Sequence, residues 1–244
     1  FTLDAYRLAF RNPQSIINGY LVTVFQSVVG TFLMLLVWGM IAYPLSRSNF
    51  AYKKPITTFL FITMLFSGGT IPTYIIYTQW YHLADNILVY ILPGLSGGAW
   101  SIFMFRTYFK GNGESLYESA VLDGASEFTI FLRIAVPLAK PIFAALGFST
   151  LIGKWNDWVT SLLYIRNPEL YTLQYLLQRV LNEVNFVKSL AEKMPVGIDV
   201  SQFKMPSETL RYALCVIAAG PMLFVFPFFQ KYFAKGLTVG SVKG

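Results

Sequence analysis

Five apolar runs, near residues 17–45, 56–80, 86–108, 138–165 and 209–233, leave this 244-residue chain few folds to choose from. A hydrocarbon core about 30 Å thick takes roughly 20 apolar residues per helix, and each run is long enough. The stretch Thr31 to Tyr43, TFLMLLVWGMIAY, does not alternate apolar with polar residues. That excludes the alternating strands of about ten residues that build a membrane barrel. With 55% hydrophobic and 13% charged residues and a mean hydropathy of +0.52, the chain also falls outside the soluble range. The reading is an all-α integral membrane protein. Pro44, Pro72, Pro93, Pro221 and Pro227 mark kinks or span ends, where neighbouring helices can satisfy the carbonyls they free.

Orientation follows from where Lys and Arg collect. Arg47, Lys53 and Lys54 sit in the loop at 46–54, Arg106, Lys110, Arg133 and Lys140 lie in and around the polar stretch at 118–137, and Lys231, Lys235 and Lys243 follow the last run. All three regions therefore read as cytoplasmic, and the short turn at 81–86, with His82 and Asp85, as outer. Five spans with a cytoplasmic end place residues 1–16 outside, which implies a truncated chain whose first helix is missing. Residues 234–244 then form a cytoplasmic tail.

The formal charge of +7 lies in loops at the membrane edge, so it argues for the bilayer and against nucleic acid. Cys215 is the only cysteine, which rules out an internal disulfide or a cysteine metal site. Gly147 to Trp155 comes nearest to a phosphate-binding loop but fails twice. Its glycines are one residue too far apart, and Trp155 stands where Ser or Thr would bind Mg²⁺. With one histidine, His82, and one plausible intramembrane acid, Asp157, nothing reads as a catalytic or metal site. If ATP is used, a partner must hold it.

The stretch Glu118 to Pro137, ESAVLDGASEFTIFLRIAVP, is a polar island between apolar runs. Glu114 and Glu118 give a helix over 114–122 a wet side, with Leu116, Ala120 and Val121 opposite. Gly124 interrupts it. A second helix from Ser126, its N-cap, to Val136 places Phe128, Phe131, Leu132 and Ile134 on one side and ends before Pro137. Alone, this describes an amphipathic linker at the membrane surface.

The spacing is more specific than that. Glu118-Ser119-Ala120, three residues, Gly124, nine residues, Ile134, one residue and Val136-Pro137 resembles the EAA loop of ABC importer permeases, E-A-A-x3-G-x9-I-x-L-P, with Ser119 and Val136 as mild departures. AYPLSR at 42–47, Trp155-Asn156-Asp157 and the terminal GLTVGSVKG extend the resemblance over most of the chain. They look like MalG-type permease subunits of carbohydrate ABC importers, closest to the LplC/YtcP-like oligosaccharide and polysaccharide branch. The resemblance implies the type I importer permease fold, a six-helix core of which five spans are visible here. It also implies a bacterial cell-membrane location. Implied partners are a second homologous permease, two cytoplasmic ATPase subunits carrying ATP and Mg²⁺, an extracytoplasmic solute-binding protein and a carbohydrate substrate. Glu118, Ser119, Ala120, Asp123, Gly124, Ile134 and Pro137 become the ATPase-coupling residues of a 109–137 cytoplasmic loop, and the tail also faces the ATPases.

Within the 17–233 transmembrane domain, Lys154 and Asp157 are three residues apart in an apolar run, which permits an ion pair. Trp155, Asn156 and Asp157 are candidates for lining a sugar path or bracing an outer gate, and a purely structural role stays open beside these. The outer segment 166–208 contains Leu173, Leu176, Leu177, Val180, Leu181 and Val184 at helical spacing. It reads as an amphipathic helix that either packs on the bundle's outer surface or, with the loop through 185–206, meets the extracytoplasmic binding protein. An ATP-independent secondary transporter or channel is the alternative that span count alone allows, although the chain lacks an internal repeat.

Overall fold

In a computed structural model that describes residues 13–193 and 208–239, every regular element is a helix. The backbone is α1, Pro13–Ser46, whose 34 residues form the one described helix long and apolar enough to cross a membrane alone. Against it pack α5 (Ala99–Gly111) and α8 (Lys140–Trp155), and α8 in turn meets α11 (Glu208–Val239). Met34, Trp38, Ala42 and Leu45 of α1 enclose a core with Ile102, Phe105 and Phe109 of α5 and Leu146 of α8. Apolar side chains facing away from it are exposed in the single chain, as a lipid-facing or partner-facing surface requires.

Three runs expected to cross as single spans are broken. The 56–80 run divides into α2 (Lys53–Leu65) and α3 (Thr70–Trp80), set at 113° to one another, because Ser67, Gly68 and Gly69 intervene. The 86–108 run divides into α4 (Ile87–Ser96) and α5, bent by 51° at Gly97-Gly98. Gly98 has φ +88°, a left-handed conformation that ends one helix and starts the next. The 138–165 run begins at a 79° corner at Ala139 and breaks again after Trp155 before α9 (Val159–Tyr164). Hydropathy averaged over a window passes over each of these.

Broken helices leave carbonyls and amides that apolar surroundings cannot satisfy. Cations meet the end of α1: Arg106 Nε donates to the Leu45 carbonyl at 3.1 Å and Lys53 Nζ to that of Arg47 at 3.0 Å, where the helix dipole also favours positive charge. Fully buried Tyr90 donates its hydroxyl to the Leu170 carbonyl at 2.8 Å and lies 2.7 Å from Ser161 Oγ. Ser161 reaches Thr172 Oγ1 at 3.0 Å, and Thr172 donates to the Asp157 carbonyl at 3.1 Å. This chain of hydroxyls joins α4, α9 and α10 (Leu173–Lys193). Tyr90→Phe should therefore lower the stability of the purified protein by about 1–2 kcal/mol, read as an earlier thermal transition in detergent.

The turns at 81–86 and 164–167 are fastened to each other. Asp85 Oδ1 accepts from the amides of Arg166 at 2.6 Å and Asn167 at 2.7 Å, while the Asp85 amide donates to the Tyr164 carbonyl. Those two amides, Asn167 first, hold the carboxyl below the usual aspartate value of 3.8. A carboxyl with a depressed pKa in the folded state strengthens the tie above its unfolded value, and the contribution disappears as pH falls through the lower folded value. Asp85→Ala at neutral pH should accelerate amide exchange at Arg166 and Asn167, and the wild-type amides should lose protection only in acid.

Residues 1–12, within the segment 1–16 assigned to the outside, and 194–207, within the loop assigned to the binding protein, lie outside the described residues. So does 240–244 of the tail.

Candidate coupling site

The polar island forms α6 (Glu114–Leu122) and α7 (Glu127–Leu138). What stops α6 is Gly124. Its amide donates to the Val121 carbonyl and that of Ala125 to the Ala120 carbonyl, both at 3.0 Å, and its φ is +81°. This is the Schellman arrangement, with a glycine in the left-handed region just beyond the helix and two late carbonyls satisfied. Asp123 occupies the C-cap. A Cβ added at Gly124 would meet nothing within 4 Å, so this chain leaves the space beside it open.

Ser126 caps α7 as its sequence indicates, its hydroxyl accepting from the Thr129 amide at 3.3 Å. The helix does not end before Pro137, however. A π-turn, Phe131–Ala135, takes the Val136 amide back five residues to Phe131, and the chain continues helically through Pro137 to Leu138. The wider turn brings the chain to a proline that has no amide of its own to place.

The buried face also differs from the expected one. Ile130, Phe131 and Ala135 are buried with Ile134 partly so, whereas Phe128 and Leu132 are exposed. In α6 the inward residue is Tyr117, flanked by Ala120. Leu116, expected inside, is exposed with Val121. Leu122, at the tip, is 88% exposed. Glu118 and Ser119 face outward, and Pro137 is exposed. A cleft of about 790 Å³ opens beside Glu118, Leu122 and Phe128 and is closed on its far side by Tyr43 and Arg47.

Among the other candidates, Trp155 is 5% exposed, and its indole N–H donates to the Ala218 carbonyl of α11 at 3.0 Å. Asp157 accepts from the amide and hydroxyl of Thr160, at 3.1 and 2.6 Å, starting α9. It forms no ion pair with Lys154, whose ammonium donates instead to the Tyr90 carbonyl at 2.7 Å. Thus the permitted pair is replaced by a backbone carbonyl of α4 for Lys154 and by the nearby Thr160 for Asp157. Asn156 alone of the three is exposed, with Gln174 donating to its Oδ1 at 3.3 Å.

Residues 19–239 match the family described as the binding-protein-dependent transport system inner membrane component. The chain belongs to that family. It is a permease, a multi-pass protein of the bacterial plasma membrane. Over its whole length it is 36% identical to the protein LplC of Bacillus subtilis, covering 80% of that relative. It is 34% identical, again over its whole length, to the polygalacturonan/rhamnogalacturonan transport system permease protein YtcP of the same organism, covering 82% of it. In three dimensions it resembles a chain from the crystal structure of a bacterial ABC transporter that imports the acidic polysaccharide alginate. The TM-score is 0.77 at 28% identity, over 94% of this chain and 79% of that one.

Within this permease the candidates divide into two groups at different places. Glu118 to Pro137 lie on α6 and α7, whereas Trp155, Asn156 and Asp157 lie at the α8–α9 break, near the buried hydroxyl chain. Sequence reasoning left Tyr43, Arg47, Tyr117 and Glu127 without a role at the first group. Tyr43 donates to Glu127 Oε2 at 2.8 Å, and Arg47 Nη1 is 2.9 Å from Glu114 Oε1. Burial raises the Tyr117 pKa above its ordinary value, so its hydroxyl stays protonated throughout the physiological range. The AYPLSR stretch contained both Tyr43 and Arg47, but their partners are too distant in sequence for spacing to connect them.

Proposed function

We propose that this permease is the membrane-spanning subunit of an ATP-driven importer that carries an oligosaccharide or polysaccharide fragment into the cytoplasm. Two cytoplasmic ATPase subunits hold ATP and Mg²⁺, a second homologous permease completes the pathway, and an extracytoplasmic solute-binding protein delivers the sugar. This polypeptide itself hydrolyses nothing. The observation that carries the reading is the shape of the α6–α7 corner. An exposed Leu122 projects beside open space at Gly124, and acidic Glu118 adjoins it, a form suited to a cleft on another subunit.

Closure of the ATPases on ATP then displaces α6 and α7, and the helices respond as rigid bodies. Glu118, Ser119, Ala120 and Asp123 belong to the docked helix and its end. Gly124 makes the turn, and Ile134 and Pro137 continue towards α8. For the cargo, support comes from relatives named for polygalacturonan and rhamnogalacturonan transport and from the neighbour that imports alginate. Exposed Asn156 suits a hydroxyl of passing sugar, and Trp155 and Asp157 brace its position from behind.

The test is reconstitution with the second permease and the ATPase in vesicles, using oligogalacturonides loaded on the binding protein. Uptake should require ATP on the face bearing α6 and α7. Uptake without ATP, or failure of the ATPase to remain bound during purification, would reject the reading in favour of a secondary transporter or channel.

A further inference from the structure

Both helices of the coupling corner are tied by polar contacts to the last turn of α1 and the two residues after it. Arg47 Nη1 lies 2.9 Å from Glu114 Oε1, in the first turn of α6, and its guanidinium stands 4.9 Å over the Tyr117 ring. The Ser48 amide donates to the same carboxylate oxygen at 3.4 Å. One turn earlier, the Tyr43 hydroxyl donates to Glu127 Oε2 at 2.8 Å, in the first turn of α7. The Tyr43 ring meets Phe109, Tyr117 and Phe131, with centroids at 6.1, 5.8 and 5.5 Å.

A single contact would leave a hinge, but contacts on two helices fix an orientation. The cleft beside them means that packing does not supply that constraint on its open side. A partly exposed ion pair adds little to stability. Its contribution lies in direction rather than in strength.

We infer that Tyr43 and Arg47 are positioning residues that lock α6 and α7 at a fixed angle to α1, so that the coupling helices and the long span move as one body. The inference rests on the coupling role proposed above. It adds that α1 receives the displacement directly at its end, in parallel with the route through Pro137 into α8.

The test uses the complete transporter in nanodiscs, with Cys215→Ser as background and nitroxides at Ser115→Cys on α6 and Val28→Cys on α1, both exposed positions. Electron–electron distances are measured without nucleotide and with ADP and vanadate. The unmodified tie should give one narrow distribution, unchanged between the two states. Arg47→Gln, checked for retained ATPase by co-purification, should roughly double its width and make it nucleotide-dependent. The exchange Arg47→Glu with Glu114→Arg should restore the narrow distribution, which loss of folding would not do. An Arg47→Gln distribution identical to the original in both states, or no recovery in the exchange, overturns the inference. Should the ATPase fail to bind even the original permease, the coupling role falls. The tie is then judged on the same distance in the permease alone, where Arg47→Gln must still broaden it.

Discussion

Gly124→Asp should abolish uptake while the permease stays in the membrane at its normal level. Within the chain the substitution is inexpensive. The left-handed conformation at φ +81° costs a non-glycine residue about 1 kcal/mol, and aspartate is among those that adopt it most readily. The new Cβ meets nothing within 4 Å. The expected damage therefore arises outside the chain, where an added carboxylate would occupy space that the proposed docked subunit needs. Gly124→Ala should give partial uptake. Gly124→Asn, which suits the same backbone without the charge, should separate bulk from charge. Uptake, membrane abundance and ATPase co-purification check all three variants, and normal uptake by Gly124→Asp would remove the docking role from this corner.

Gly98→Ala should have the opposite profile, with little protein recovered and the remainder melting early. Its φ of +88° carries the same backbone cost, but here the added Cβ falls 2.4 Å from Cε2 of the buried Trp38 indole. A fused ring held in the core cannot yield as a flexible chain end would, so α4 and α5 must part from α1. Strain and overpacking together come to about 2–5 kcal/mol. Membrane abundance and thermal unfolding in detergent measure it, and wild-type values for both would show that Trp38 has somewhere to go. Of two glycines with nearly equal φ, one serves packing inside the chain and the other leaves room beyond it.

Much of this was legible from residue order. The apolar runs specified a helical membrane protein, the Glu118-to-Pro137 spacing specified the permease family, and Ser126 was identifiable as a cap because its bond is local. Less visible was anything decided by a distant partner. Tyr43 and Glu127 are 84 residues apart, and Lys154 lies 64 from the carbonyl it meets. Nothing in the spacing of Lys154 and Asp157 could indicate that each would find backbone or hydroxyl groups instead. Helix breaks were hidden for another reason, since two glycines between apolar halves hardly change mean hydropathy yet turn the chain through 51° at Gly97-Gly98. The faces of α6 and α7 were misjudged because an apolar side need not be the side that meets the core: Tyr117 turns inward in α6 while Leu116 and Val121 are exposed, and α7 adds a π-turn at Phe131–Ala135.

That π-turn makes the length of the Glu118-to-Pro137 motif a matter of phase. The π-turn at Phe131–Ala135 gives its turn one residue more than an α-helix would use, and Ile134 and Ala135 stay on the core side through it. Nine residues between Gly124 and Ile134 thus work like the tooth count between two gears. Side chains along the interval other than the Ser126 cap and the Glu127 contact with Tyr43 are free to change so long as the core remains filled. Removal of even one position would rotate everything downstream by about 100° relative to α1 and turn the corner to face another direction.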